Sequence, residues 1–249
     1  MYKNLYITLF IMPLFAFSQS NSVHDSIPTL RKTNNYKALI IPSLFICYGI
    51  VSLESDYLKT LNYDTKEELA EHIDKRFTID DFSQYAPAVA VYGLNTAGIQ
   101  GKNKFKDRSI ILATSYLILS TSVLTLKSVT KIERPDGSAN NSFPSGHTAN
   151  AFAGAEFLYQ EYKDVNIWYG ISGYAVATTT GFFRMYNQRH WFSDVVMGAG
   201  IGILSTKIAY WLHPFITEKI FKSNTKTTTM ITPFYNGRQG GLGLVIHIN

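Results

Sequence analysis

Three long uncharged runs, Ala38 to Leu53, Ser109 to Leu126 and Ile167 to Phe183, limit what this chain can fold into. Runs of this length exceed ordinary strands and read as helices that bury apolar surface against one another. Thr148 to about Tyr162 and Val195 to Trp211 continue the pattern, and His213-Pro214 is expected to bend or end the last helix. Between the first two runs, Thr65-x-x-Glu68 has the form of a capping box that opens a helix with Leu69, Ile73 and Phe77 on its apolar face. Asp80-Asp81 begins a less regular helix, with Pro87 early and Ala88 to Ile99 continuing it, and Lys102 to Arg108 reads as a basic connection. The expected fold is therefore all-α: a bundle of about six main helices, with a short C-terminal β-hairpin.

The two ends differ from this middle. Met1 to Ser20 has Lys3, an apolar stretch from Leu5 to Phe17 and then Ser18-Gln19-Ser20, the form of a signal peptide. Residues 21–35 read as an exposed polar lead-in, residues 36–221 as the helical domain, and residues 222–249 as a linker and hairpin. The hairpin rests on Asn236-Gly237 and on the alternation of Leu242, Leu244, Ile246 and Ile248. Cys47 is the single cysteine, which excludes an intrachain disulfide, and in its apolar run it reads as core filler. His24, His72, His213 and His247 have no matching partner in the sequence and read as structural.

Chemistry concentrates between Lys127 and Asp194, in three blocks. The first is Lys127-x6-Arg134-Pro135; if the preceding helix runs to the proline, the two cations share one face about two turns apart and can converge on one anion. The second is Pro144-Ser145-Gly146-His147 at the start of a helix, where free backbone N–H groups and the helix dipole favour an anion. The third is Arg184-x5-His190-x3-Asp194; if a helix begins near His190, that histidine and Asp194 are neighbours on one face, and the carboxylate holds the imidazole in one tautomer. Taken alone, each block is also explained by a basic helix end, a Ser/Gly turn or a structural His–Asp bond.

Together, in this order and spacing, they resemble the signature of the type 2 phosphatidic acid phosphatase and vanadium haloperoxidase superfamily. The resemblance implies that Lys127, Arg134 and Arg184 bind phosphate oxygens, helped by Ser145 and the Gly146 N–H. It implies that His190 attacks phosphorus, that His147 protonates the leaving alcohol and that Asp194 orients His190. One position departs from the pattern: Phe183 stands where a serine usually precedes the arginine. A transferred phosphoryl group spreads charge over its oxygens, so cations and donors around it matter most, and no clustered metal-ligand pattern is visible. The expectation is a metal-independent phosphatase of the cell envelope without a cofactor, which hydrolyses a phosphomonoester or diphosphate, with a lipid phosphate preferred, through the phosphohistidine intermediate that the resemblance implies. Alternatives are a nonspecific acid phosphatase acting on a small phosphomonoester, a haloperoxidase holding vanadate at His190, and a noncatalytic envelope binding protein.

A net charge of +5 suits an anionic substrate or a membrane surface, and the absence of dense Lys/Arg clusters argues against nucleic acid. The uncharged runs lie near the lower limit for a membrane span, and Glu156 interrupts the helix after His147. With a leader removed, a soluble or surface-bound periplasmic domain is favoured over an integral inner-membrane enzyme whose site faces the periplasm. The sequence names no protein partner.

Overall fold

A computed structural model describes residues 36–71, 77–218, 227–235 and 240–248. The expected signal peptide and lead-in, with His24 and His72, lie outside the described residues, as does the turn Asn236-Gly237. A short 3-10 turn, Tyr36–Leu39, leads into α1 (Ile40–Ser52) and α2 (Asp56–Ala70). Then follow α3 (Ile79–Ser83), α4 (Ala86–Thr96), α5 (Phe105–Thr130), α6 (Gly146–Tyr162), α7 (Ile167–Tyr186) and α8 (Phe192–Ile216). The backbones of β1 (Thr227–Tyr235) and β2 (Gly240–Ile248) pair antiparallel, from Thr227↔Ile248 to Tyr235↔Gly240.

Several boundaries differ from those expected. Thr65 lies inside α2, where its hydroxyl donates to the Leu61 carbonyl at 2.7 Å; the helix opens at Ser55, whose side chain accepts from the Leu58 N–H. Lys106, Asp107 and Arg108 belong to α5, not to a connection: Arg108 is buried and folds back onto the Asn103 carbonyl, and Asp107 meets His213 at 3.3 Å. Asp80-Asp81 and Ala88 belong to separate helices, and Pro214 sits within α8 in place of ending it. Cys47, read as core filler, is exposed.

At the centre lies α6, packed against α4, α5, α7 and α8. Its contact with α8 is backbone to backbone. A Cβ on Gly202 would stand 2.3 Å from the Ala149 carbonyl oxygen, and one on Gly198 would stand 2.5 Å from that of Ser145. Ala149, Ala153, Met197 and Ile201 pack with Leu119, Val123 and Phe143 to make the core beneath this seam. Further along, Val91, Ile111, Phe157, Leu158, Tyr162 and Ala209 make a second core.

Charge is buried here too. Glu156 accepts from Lys207 Nζ at 2.7 Å, from Gln160 at 2.6 Å and from the Tyr174 hydroxyl. Glu161 accepts from Tyr210 and from the side chain of Asn103, each at 2.6 Å. The outer surface is the reverse, since Leu117 and Leu124 of α5 are 69% and 66% exposed, and Ile40, Ile41 and Leu44 of α1, Trp168 of α7 and Phe215 of α8 also face outward. Among the described residues two helices, α5 and α8, are long and apolar enough to cross a membrane; a third span arises if α1 and α2, bent by 96°, count as one broken crossing.

Candidate active site

The C-terminal ends of α5 and α7 and the N-terminal ends of α6 and α8 gather at one end of the bundle, and each delivers part of a block. Lys131 adopts a left-handed conformation, φ 48°, which ends α5 after Thr130. The helix therefore stops short of Pro135, and Lys127 and Arg134 do not share a helical face. They converge by another route. Lys127 Nζ donates to the carbonyls of Asn141 and Ser142, and Arg134 Nε donates to Asn141 Oδ1 at 2.9 Å. Both cations thus rest on neutral acceptors. A tight turn holds Arg134 in place, closed by its N–H to the Ala139 carbonyl and by Gly137 at φ 69°.

Ser145 is the N-cap of α6 and is fully buried. Its hydroxyl pairs with Thr148, at 2.8 Å to Oγ1 and 3.4 Å to the N–H, so the side chain caps the helix. The Ser145 N–H donates to the Asp194 carbonyl at 3.0 Å, which ties the second block to the third. Gly146 and His147 open the helix, where N–H groups have no intrahelical acceptor.

Arg184 is buried in the last turn of α7. Its Nη1 donates to Asp80 Oδ2 at 2.6 Å and lies 3.7 Å from Asp81 Oδ1, while its buried Nε has no partner among the described residues. His190 precedes Trp191, the N-cap of α8, so the histidine and Asp194 bridge a helix start and do not stack on one face. They still meet: Nδ1 lies 3.5 Å from Asp194 Oδ2. That oxygen also accepts from the Trp191 N–H at 2.9 Å and from the Ser142 hydroxyl. A carboxylate held by two other donors is fixed in place and ready to tighten on an imidazolium.

Burial dominates the electrostatics of His190. It draws the imidazole down to about 4, further than Asp194 pulls it up, and Arg184 and Lys127 add to the lowering. The ring is therefore neutral near neutrality, and Nε2 is the nitrogen that does not face Asp194. Burial and the Arg184 charge also set His147 below the usual histidine value, against the upward pull of Asp81. Arg134 is lowered by burial and by Arg184 and Arg189. Asp136, which pairs with Arg189 at 3.3 Å, and Asp194 act on Arg134 in the opposite direction.

Two cavities open at this end. One of about 340 Å3 is lined by Asp80, Asp81, Arg134, His147, Arg184 and Arg189. The other, about 470 Å3, lies between α2 and the later loops, with Lys59, Tyr63 and Lys66 on one side and Arg134, Trp191 and Asp194 on the other. Among the described residues no group of three or more His, Cys, Asp or Glu side chains is placed to hold a metal ion.

All eight expected residues thus lie at one end of the bundle, although Ser145 turns its hydroxyl to a cap. Four others were not foreseen as part of the site: Asn141, Ser142, Asp80 and Asp81. The acidic pair carried one signal, since two adjacent carboxylates in a chain with surplus cations need partners. Phe183 does not replace the missing serine as a donor. Its ring packs on Phe77, 6.0 Å between centroids, just before α3.

Residues 113–218 match the model of the PAP2 superfamily. The lipid A 1-phosphatase of Porphyromonas gingivalis is 38% identical over 151 residues, which are 60% of this chain and 34% of that protein. The chain therefore spans about a third of the length of this curated relative. Among solved structures, Aquifex aeolicus LpxE is similar at 23% identity and a TM-score of 0.47, covering 61% of this chain and 95% of its own. The transmembrane PAP2 type phosphatidylglycerolphosphate phosphatase from Bacillus subtilis is 18% identical with a TM-score of 0.48, covering 75% and 100%. The matched segment contains every member of the three blocks, and over these residues the chain is similar to the PAP2 superfamily.

Proposed function

We propose that the protein is a metal-independent phosphatase of the cell envelope that hydrolyses a lipid phosphate through a phosphohistidine. One observation carries this reading: a neutral, buried His190 backed by Asp194 lies in the field of Lys127 and Arg184, beside a cavity that Arg134 and Arg184 line. Two of these cations rest on Asn141 and the third has an unpartnered N–H. A phosphate brings the negative charge and the acceptor oxygens that such a cluster needs.

In this reading His190 Nε2 attacks phosphorus, the P–N bond forms and the P–O bond to the leaving group breaks. The leaving oxygen takes a proton from His147, while Asp194 stabilises the cationic phosphoimidazole. Water then attacks phosphorus and gives a proton to His147, releasing phosphate and neutral His190. The three cations supply the charge stabilisation for both steps.

Two observations support a lipid substrate: the apolar outer faces of α1, α5, α7 and α8, and a second cavity that adds Lys59, Lys66, Tyr63 and Trp191 beside the site. Contiguous outward apolar surface of this kind meets lipid more readily than water. The phosphate on the sugar of lipid A is one such group, by analogy with the relative from Porphyromonas gingivalis. We place α5 and α8 across the membrane, with the basic segment Lys102 to Arg108 on the cytoplasmic side and the catalytic end on the periplasmic side.

The test is phosphate release by the full chain in detergent with EDTA, on lipid A, phosphatidic acid, a prenyl diphosphate and an aryl phosphate. Release that resists EDTA, favours a lipid and vanishes in His190→Ala is expected. A folded protein that releases phosphate from none of them overturns the function, and loss of release in EDTA overturns metal independence.

A further inference from the structure

The reaction assigned above uses one histidine–carboxylate pair, His190 with Asp194. A second pair stands across the phosphate cavity. His147 Nε2 lies 3.0 Å from Asp81 Oδ1, closer than His190 Nδ1 lies to Asp194. Resting on the phosphatase reading, we propose that Asp81 is the positioning residue of the general acid, holding His147 through Nε2 so that Nδ1–H meets the leaving oxygen.

The geometry of α3 supports a built contact. Asp80, next in the chain, is buried and joins Arg184 at 2.6 Å and Asn187 Nδ2 at 3.2 Å. Asn187 also accepts from the Phe77 N–H at 3.1 Å and donates to the Phe77 carbonyl at 2.6 Å, fixing the chain just before α3. Phe183 and Tyr186 pack against the Phe77 ring, each 6.0 Å between centroids. From within α3, the Ser83 hydroxyl meets Thr180 of α7 at 2.7 Å, and Gln84 just after it accepts from Asn150 of α6 at 2.9 Å. Asp80 therefore braces the arginine at 2.6 Å, while Oδ1 of the half-exposed Asp81 lies closer to His147, at 3.0 Å, than to Arg184, at 3.7 Å.

The division of labour follows from charge. His147 faces Arg184 from α7, whose charge disfavours a second positive charge, and shares its cavity with Arg134 and with Arg189, which pairs with Asp136 at 3.3 Å. Among the described residues the carboxylates that line that cavity are Asp80 and Asp81, and Asp80 is already engaged by Arg184. A general acid must hold its proton until the P–O bond breaks, so a carboxylate on its far nitrogen maintains the charge that its surroundings resist.

The experiment compares the full chain with Asp81→Asn and Asp81→Glu in two ways. First, kcat/KM is measured across pH on a lipid phosphate, whose alkoxide leaving group needs a proton, and on p-nitrophenyl phosphate, whose leaving group does not. Asp81→Asn is expected to lower the lipid value tenfold or more, to leave the aryl value within about twofold and to move the alkaline limb to lower pH, with Asp81→Glu restoring most of the loss. Equal loss on both substrates, or no loss on either, overturns the proposal. Second, the His147 ring is titrated by NMR, assigned against His147→Ala. Its pKa falls in Asp81→Asn if the pair is real, and an unchanged titration overturns it. Should the wild-type chain release no phosphate, the function fails while the titration still decides the pairing.

Discussion

Both ends of this bundle bury charge, and they treat it in opposite ways. Around Glu156 and Glu161 every buried carboxylate is answered, by Lys207, Tyr174, Tyr210, Gln160 and Asn103. Around His190 the arrangement differs: Lys127 and Arg134 lean on neutral oxygens, and two cavities open beside them. A matched cluster is a fastening. Cations that rest on neutral acceptors with room beside them are placed to receive an anion.

This contrast is broken most severely by His190→Ala. Removal of the nucleophile is expected to reduce phosphate release by about a thousandfold or more, with the melting temperature unchanged or raised. At the matched end, Lys207→Met leaves Glu156 as a buried carboxylate without its cation, and a loss of about 3–5 kcal/mol in stability follows, read by thermal unfolding, while turnover per folded molecule stays the same. Lys127→Met should do the converse, lowering kcat/KM by about a hundredfold with little change in unfolding. If Lys127→Met destabilised the fold as much as Lys207→Met, the distinction between the two ends would collapse.

The pH profile sharpens the comparison further. His190 must be neutral, so kcat/KM falls as pH drops through about 4. His147 must be protonated, so the rate also falls as pH rises through a value below 6.5. The optimum lies between them, in acid, and a plateau extending above pH 7 would contradict the assignment. The same His190 affects stability: its folded pKa lies below the unfolded one, so the unfolded chain takes up the proton first, and stability is lost as pH falls from 6.5 toward 4. The smallest effect belongs to Tyr210→Phe, which removes one bond to Glu161 and is expected to lower stability by about 1–2 kcal/mol without touching turnover.

Much of this architecture was legible in the sequence because it is local. The uncharged runs marked helices, and the block spacings picked out cations and histidines that gather at one end of the bundle, even though α5 ends before Arg134 and α8 begins after His190. The braces of the site were not legible. Arg184 and Asp80 are 104 residues apart, and His147 and Asp81 are 66 apart, separations that leave no periodic trace. Ser142 and Asn141 matter through a carbonyl, an amide and a hydroxyl brought to Lys127, Arg134 and Asp194 by tertiary folding. Cys47 misled for another reason: an apolar run was read as core, whereas α1 turns much of its apolar surface outward.

The seam at Gly198 and Gly202 has a consequence for how such a site can change over time. The second and third blocks are joined where two backbones touch, with no side chain between them to lengthen or shorten. The separation of His147 and His190 is thus set by main-chain geometry, and gradual substitution has little there to adjust. The opposite wall is different: α2 meets α8 through Asn62 and Ser193, and α3 is held through Asn187, all replaceable side chains. New substrates can be accommodated by redrawing that wall while the chemistry stays where it is.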